Sequence, residues 1–305
     1  MNRTGGGRSA RWCATAAAVL LAVACGHDGG APVALAWHLT AMHADPHRSL
    51  GRGEGVIIAF IDTGFTTTAL PAFAHRVLGG WNAVTGTVDD ADVSGHGTEM
   101  AVLAAGGGDQ GVWGTAPAAT VLPVVVADMD GHATPGAVAS GIRFARTHGA
   151  AVINISLAAD VASPDVTDEI RAATSAGIAV VAAAGDLGRP GPEFPASAAG
   201  VIAVYGEDSS GQVGAHSNLP TVGGVLAPGE QIETTVPVGA SARKLAINGT
   251  SAAAALVSGV IAACLSAAGP RYGTVQLRNA RCTQLLLARD AGQFLDLKLI
   301  TEAVK

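Results

Sequence analysis

The sequence predicts an α/β fold of three layers, a mostly parallel twisted sheet flanked by helices on both faces. Three observations predict it. Aliphatic runs of strand length recur as unbroken apolar stretches, the pattern of parallel strands buried on both faces. Stretches with helical spacing separate them, as βα units require. The composition, 49% hydrophobic and 14% charged with 41 glycines in 305 residues, suits a large aliphatic core and excludes a disordered or fibrous chain.

The elements follow in order. Residues 37–50, from Trp37 to Leu50, read as a helix that leads through GRGEG into the run VIIAFID, a strand ending at Asp62. A helix is predicted over 97–106, then a strand over TVLPVVV at 120–126 and a helix over 135–148. A strand at 151–155 (AVINI), a helix at 165–176, and strands at 178–183 (IAVVAA) and 201–205 (VIAVY) come next. Two helices, about 251–268 and 274–288, complete the chain. No repeat or composition break interrupts it, so residues 37–305 are expected to form one domain.

The first residues have a different character. Arg3, Arg8 and Arg11 precede an apolar run from Ala14 to Ala24 that is short for a membrane span and reads as an export signal. The run closes on LAVAC, which resembles the lipobox of bacterial lipoproteins, where cleavage precedes acylation of the cysteine. The expectation is a signal peptide over 1–24, lipidation of Cys25, a tether over 25–36 and a place in the bacterial cell envelope. A secretory signal cleaved nearby, or an uncleaved anchor, fits the same residues. Loss of residues 1–24 removes those three arginines and takes the formal charge from −6 to −9, which argues against a nucleic-acid partner. Beyond Cys25 stand Cys264 and Cys282. An oxidising compartment allows them to pair, and a buried free Cys264 is the other reading.

In open parallel sheets, reactive groups gather at the carboxyl ends of strands. Asp62 ends a predicted strand before Thr-Gly. His96 stands between two glycines at the start of a predicted helix, and Ser251 opens another after Gly249-Thr250. Each has a plain structural reading: turn former, hydrogen-bonded histidine, helix cap. Together, at element ends and in the order Asp, His, Ser, they have the residue types of nucleophilic catalysis in the order of the subtilisin triad.

DTG at 62–64, GHGT at 95–98, GTAPAATVLPVVV at 114–126, GAAVINISL at 149–157, VVAAAGD at 180–186 and NGTSAAAALVSG at 248–259 resemble successive blocks of the subtilisin-like serine peptidases (subtilases). The likeness covers the chain from about Trp37 to about Val304. It implies a serine endopeptidase acting on peptide or protein substrates: Ser251 as nucleophile, His96 as general base, Asp62 as its orienting partner, and the Ser251 N–H in the oxyanion hole. It further implies that Ser156, Leu157 and Ala158 pair with an extended substrate by strand addition. No cofactor is implied beyond the calcium common in the family. Asp89, Asp90 and Asp92 read as a solvated loop, so no metal ligands are assigned.

The pattern departs from the family at several places. Asp186 stands where the resemblance expects an Asn that supplies the second oxyanion donor, so its carboxyl must be protonated to donate, or the site is slow. Ala252 to Ala255 and Leu256 replace Met-Ala-Ser-Pro-His after the serine, and loss of the proline is expected to shift the helix start slightly. Glu99 and Val102 replace a His and a Gly after GHGT. Two alternatives stay open: a catalytically weakened peptide-binding lipoprotein on the same fold, and a dedicated peptide-processing transacylase.

Overall fold

The computed structural model describes residues 35–47, 51–221, 223–238, 240–270, 273–287 and 295–304. Cys25, the export segment and nearly all of the tether lie outside these residues.

The five predicted strands and two more pair into one seven-stranded, wholly parallel sheet. Its strands are β1 (Ile57–Asp62), β2 (Trp81–Asn82), β3 (Thr120–Val125), β4 (Val152–Ile155), β5 (Ala179–Ala183), β6 (Val201–Glu207) and β7 (Val225–Pro228), in the order β2-β3-β1-β4-β5-β6-β7. Side chains alternate across the sheet and divide the core in two. Ile58, Phe60, Val121, Val152 and Val181 face one side, and Ala59, Ile61, Leu122, Ile153 and Val180 the other.

Helices cover both faces. A short α1 (Trp37–Ala41) comes first. The first face carries α2 (His96–Ala105) and, further along the chain, the long central α5 (Thr250–Ala268) with α6 (Val275–Leu287) and α7 (Leu297–Glu302). The opposite face carries α3 (Pro135–Thr147) and α4 (Pro164–Ser175). Both of the latter open with proline at the first position behind a capping hydroxyl, Thr134 bonded to the Ala137 N–H and Ser163 to the Val166 N–H. Although α5 is long and apolar enough to cross a membrane, 83% of it is buried within the fold, as the core helix of a packed domain is.

Several elements differ from expectation: β2, β7 and α7 have no counterpart among the predicted elements, and two larger departures have a physical reason. The helix foreseen over 37–50 stops at Ala41: His43 turns to φ +47, and Asp45 precedes Pro46, which disfavours helical backbone. An antiparallel hairpin, β8 (Ile232–Val238) with β9 (Ser241–Ile247), lies outside the main sheet and was not foreseen. Pro237 within its first strand and the charged Glu233, Arg243 and Lys244 hide it from an apolar-run reading. Cys264 on α5 and Cys282 on α6, both buried, are joined in a disulfide, the paired alternative.

Candidate active site

Strand ends and helix starts converge at one edge of the sheet. Asp62, the last residue of β1, is fully buried; its Oδ1 accepts the Thr63 N–H at 2.8 Å and faces His96 Nδ1 at 2.7 Å. Its Oδ2 has no partner among the described residues. The imidazole that opens α2 therefore meets a desolvated carboxylate. That carboxylate, above all other influences, raises the His96 pKa to about 9 against the opposing effect of burial, with Glu99 and Asp92 adding to it.

Asp92 holds this corner together. Its Oδ1 accepts from the Thr63 hydroxyl and the Ser94 and Gly95 N–H groups, and its Oδ2 from the Thr98 N–H and hydroxyl. The Thr63 hydroxyl in turn accepts the Gly97 N–H at 3.0 Å. One carboxylate thus caps the start of α2 and ties it to the end of β1, fixing the ring against Asp62. The solvated loop expected over Asp89, Asp90 and Asp92 is a clamp at Asp92, and Asp90 Oδ2 accepts the Gly80 N–H. An acid a few residues ahead of a helix start was the available signal.

Ser251 is the second residue of α5, not its cap, so its N–H precedes the first intrahelical hydrogen bond and is free to donate at the positive end of the helix. The cap comes from 64 residues away. Asp186 Oδ1 accepts both the Thr250 N–H and the Thr250 hydroxyl at 2.7 Å, and that hydroxyl accepts the Gly185 N–H at 3.1 Å. Asp186 therefore acts as a hydrogen-bond acceptor, with Oδ2 set against Gly249. That glycine has φ +128 and ψ 162, and a Cβ on it would lie 2.9 Å from Oδ2.

The Ser251 hydroxyl donates to the Ser156 carbonyl, and the Ser156 hydroxyl donates to the Ser251 carbonyl, each at 3.4 Å. Behind this pair runs a buried polar chain absent from the sequence reading. Asn154 Nδ2 donates to Ser156 Oγ, and the Ser258 hydroxyl donates to Asn154 Oδ1, both at 2.9 Å. Past Ser156 the chain emerges at Leu157 and Ala158, whose backbone enters none of the loop hydrogen bonds among the described residues. Ala159 then pairs with Phe194.

His96, Ser251, Asp186 and Ser156–Leu157–Ala158 line a single cleft of about 460 Å³, the size of a small-ligand site. A smaller apolar pocket of about 110 Å³ adjoins it across Leu157 and Ala158, floored by Ile155, Val166 and Phe194. Among the described residues one set of potential metal ligands converges, the exposed Asp128, Asp130 and His132. Asp128 Oδ1 already accepts the Asp130 and His132 N–H groups, and two carboxylates with an imidazole fall short of the six to eight oxygens calcium takes. The set does not fit calcium.

Residues 53–292 match the Subtilase family. The chain is a member of that family. Thermitase from Thermoactinomyces vulgaris is 37% identical over 213 residues, covering 69% of this chain and 75% of thermitase. Subtilisin BL from Lederbergia lenta is 32% identical over 245 residues, 80% of this chain and 88% of the relative. Alkaline elastase YaB from Bacillus sp. (strain YaB) is 33% identical over 245 residues, 80% of this chain and 63% of that one. This subtilase is accordingly a serine-type endopeptidase, and its substrates are peptides or proteins.

Proposed function

We propose that this subtilase is exported, anchored through lipid on Cys25, and cleaves peptide bonds through an acyl-enzyme on Ser251. The observation that carries the reading is the 2.7 Å contact between buried Asp62 and His96 in the cleft that Ser251 also lines. In the reaction His96 takes the proton of the Ser251 hydroxyl as Oγ attacks the substrate carbonyl carbon. Asp62 holds the ring in the tautomer that leaves its far nitrogen free and stabilises the imidazolium. The Ser251 N–H donates to the oxyanion, and Asp186, whose Oδ1 caps Thr250, stands where the resemblance puts the second donor; as an acceptor it leaves that donation weak. The imidazolium then protonates the leaving amine, and water attacks the acyl ester by the same steps. The substrate strand pairs with the backbone of Ser156–Leu157–Ala158.

A general base works when neutral, so a histidine raised to about 9 gives a peptidase whose competent fraction grows with alkalinity. A relative named an alkaline elastase agrees with that expectation.

The test is labelling with a fluorophosphonate probe. Stoichiometric labelling of Ser251 that is lost in His96→Ala supports the peptidase. Absence of labelling in folded protein between pH 5 and 9 identifies the weakened peptide binder, the reading favoured by the acceptor role of Asp186. Intact mass of membrane-extracted protein, with and without Cys25→Ala, tests the anchor.

A further inference from the structure

The charged side chains that line the cleft are His96, already matched by Asp62, and three acids, Asp130, Asp186 and Glu193. None of the described residues lining it is a lysine or arginine. Asp186 spends one oxygen on Thr250, and Asp130 lies on the exposed loop with Asp128. Glu193 is the acid the fold builds in. Its N–H donates to the Ala184 carbonyl at 2.9 Å, and the next residue, Phe194, pairs with Ala159. The backbone at Glu193 is thereby fixed between the end of β5 and the edge proposed to hold the substrate.

The Glu193 side chain is 14% exposed. Arg189 Nη1 reaches Oε1 at a long 3.4 Å and makes its close contact, 2.5 Å, with Asp160 instead. Oε2 receives no hydrogen bond among the described residues. It rests against Gly185, where a Cβ would stand 2.7 Å away and where φ is +106, so only glycine leaves it this place. Oε2 thus stands at the cleft without a partner among the described residues, open to a donor that enters with the substrate. Arg189 shows the kind of group that suits it, a cationic side chain.

We propose that Glu193 is a specificity-determining residue that selects polypeptides carrying a lysine or arginine side chain seated against its Oε2. The inference rests on the reading of this cleft as the substrate site. A cation entering from the substrate gains the free oxygen and the field of Asp130 and Asp186. An acidic side chain at the same point meets three like charges.

The experiment is equilibrium binding to the full chain carrying Ser251→Ala, read by fluorescence anisotropy of labelled hexapeptides. Each peptide differs at one scanned position, holding arginine, norleucine or glutamate. At one position arginine is expected to bind about tenfold more tightly than norleucine at low salt, with glutamate weakest, and the ratio is expected to fall several-fold in 0.5 M NaCl. Glu193→Gln in the same background should bring the ratio close to one. A ratio that this variant leaves unchanged, or that salt leaves unchanged where Glu193 is intact, overturns the proposal, and the salt measurement needs no substitution at Glu193. Binding does not require turnover, so arginine preference without fluorophosphonate labelling sinks the peptidase reading alone. Labelling without the preference sinks this inference alone.

Discussion

Asp186 shows how one carboxylate divides two tasks between its oxygens. Oδ1 caps α5 through Thr250, whereas Oδ2 beside Gly249 occupies the place from which a second oxyanion donor would act. Asp186→Asn keeps an acceptor for the cap and replaces Oδ2 with an N–H donor. Removal of such a donor lowers kcat about a hundred- to a thousand-fold, so the asparagine variant is expected to raise kcat at least about tenfold with little change in KM. Steady-state kinetics on a peptide amide check this, and an unchanged kcat removes Asp186 from the oxyanion hole. A second prediction concerns His96. Its pKa is raised by Asp62 first, held back by burial, and raised further by the hydrogen bond to Asp62 and by Glu99. The neutral base accumulates as pH climbs through about 9, so kcat/KM is expected to rise across neutral pH and level off above that value. Glu99→Gln withdraws one negative charge and lets the ring lose its proton sooner. The rising limb should move to lower pH, and a limb that stays in place means that Glu99 does not act on the ring.

Helix α5 shows what was legible in the chain and what was not. Its extent was plain because NGTSAAAALVSG joins a glycine-threonine entry to a run of strong helix formers, and the structure starts it one residue early, at Thr250. The five inner parallel strands were plain for a similar reason: AVINI and IAVVAA carry no period-two alternation because both faces are buried, whereas the short edge strands β2 and β7 gave no such run. Pairings between distant residues were not legible, since neither the cap from Asp186 nor the clamp by Asp92 leaves a mark on local periodicity. Asn154 was the faint exception, a polar residue within an apolar strand, answered by Ser258 two helical turns beyond Ser251. Ser258→Ala leaves Asn154 Oδ1 buried without a donor, which costs about 1–3 kcal/mol. The expected result is a lower melting temperature together with a fall in kcat larger than any rise in KM, because the chain through Asn154 and Ser156 ends on the carbonyl of Ser251. A stability loss with kcat unchanged would assign the network to folding alone.

The whole molecule carries a pH liability outside the lining of the cleft. His38 on α1 is completely buried, and neither ring nitrogen finds a partner among the described residues. The helix docks beside the hairpin, where the Trp37 indole donates to the Gln231 carbonyl just ahead of β8. Burial lowers the His38 pKa to about 4; Glu233 opposes the shift and Lys244 adds to it. The sign follows from proton uptake. Below about 6.5 the unfolded chain binds a proton at this residue that the folded chain refuses, so stability falls by about 1.4 kcal/mol per pH unit until the folded ring also titrates near 4. His96 has the opposite sign, because its raised pKa stabilises the fold below about 6.5 and that contribution fades as pH rises toward 9. Comparison of the native chain with His38→Leu cancels the His96 contribution, which both proteins share. Between pH 7 and pH 5 the native chain is expected to lose about 2 kcal/mol relative to the leucine variant in urea unfolding. Equal losses in the two proteins would mean that the ring finds water or a partner when it is protonated, and that α1 yields from the hairpin before the sheet unfolds.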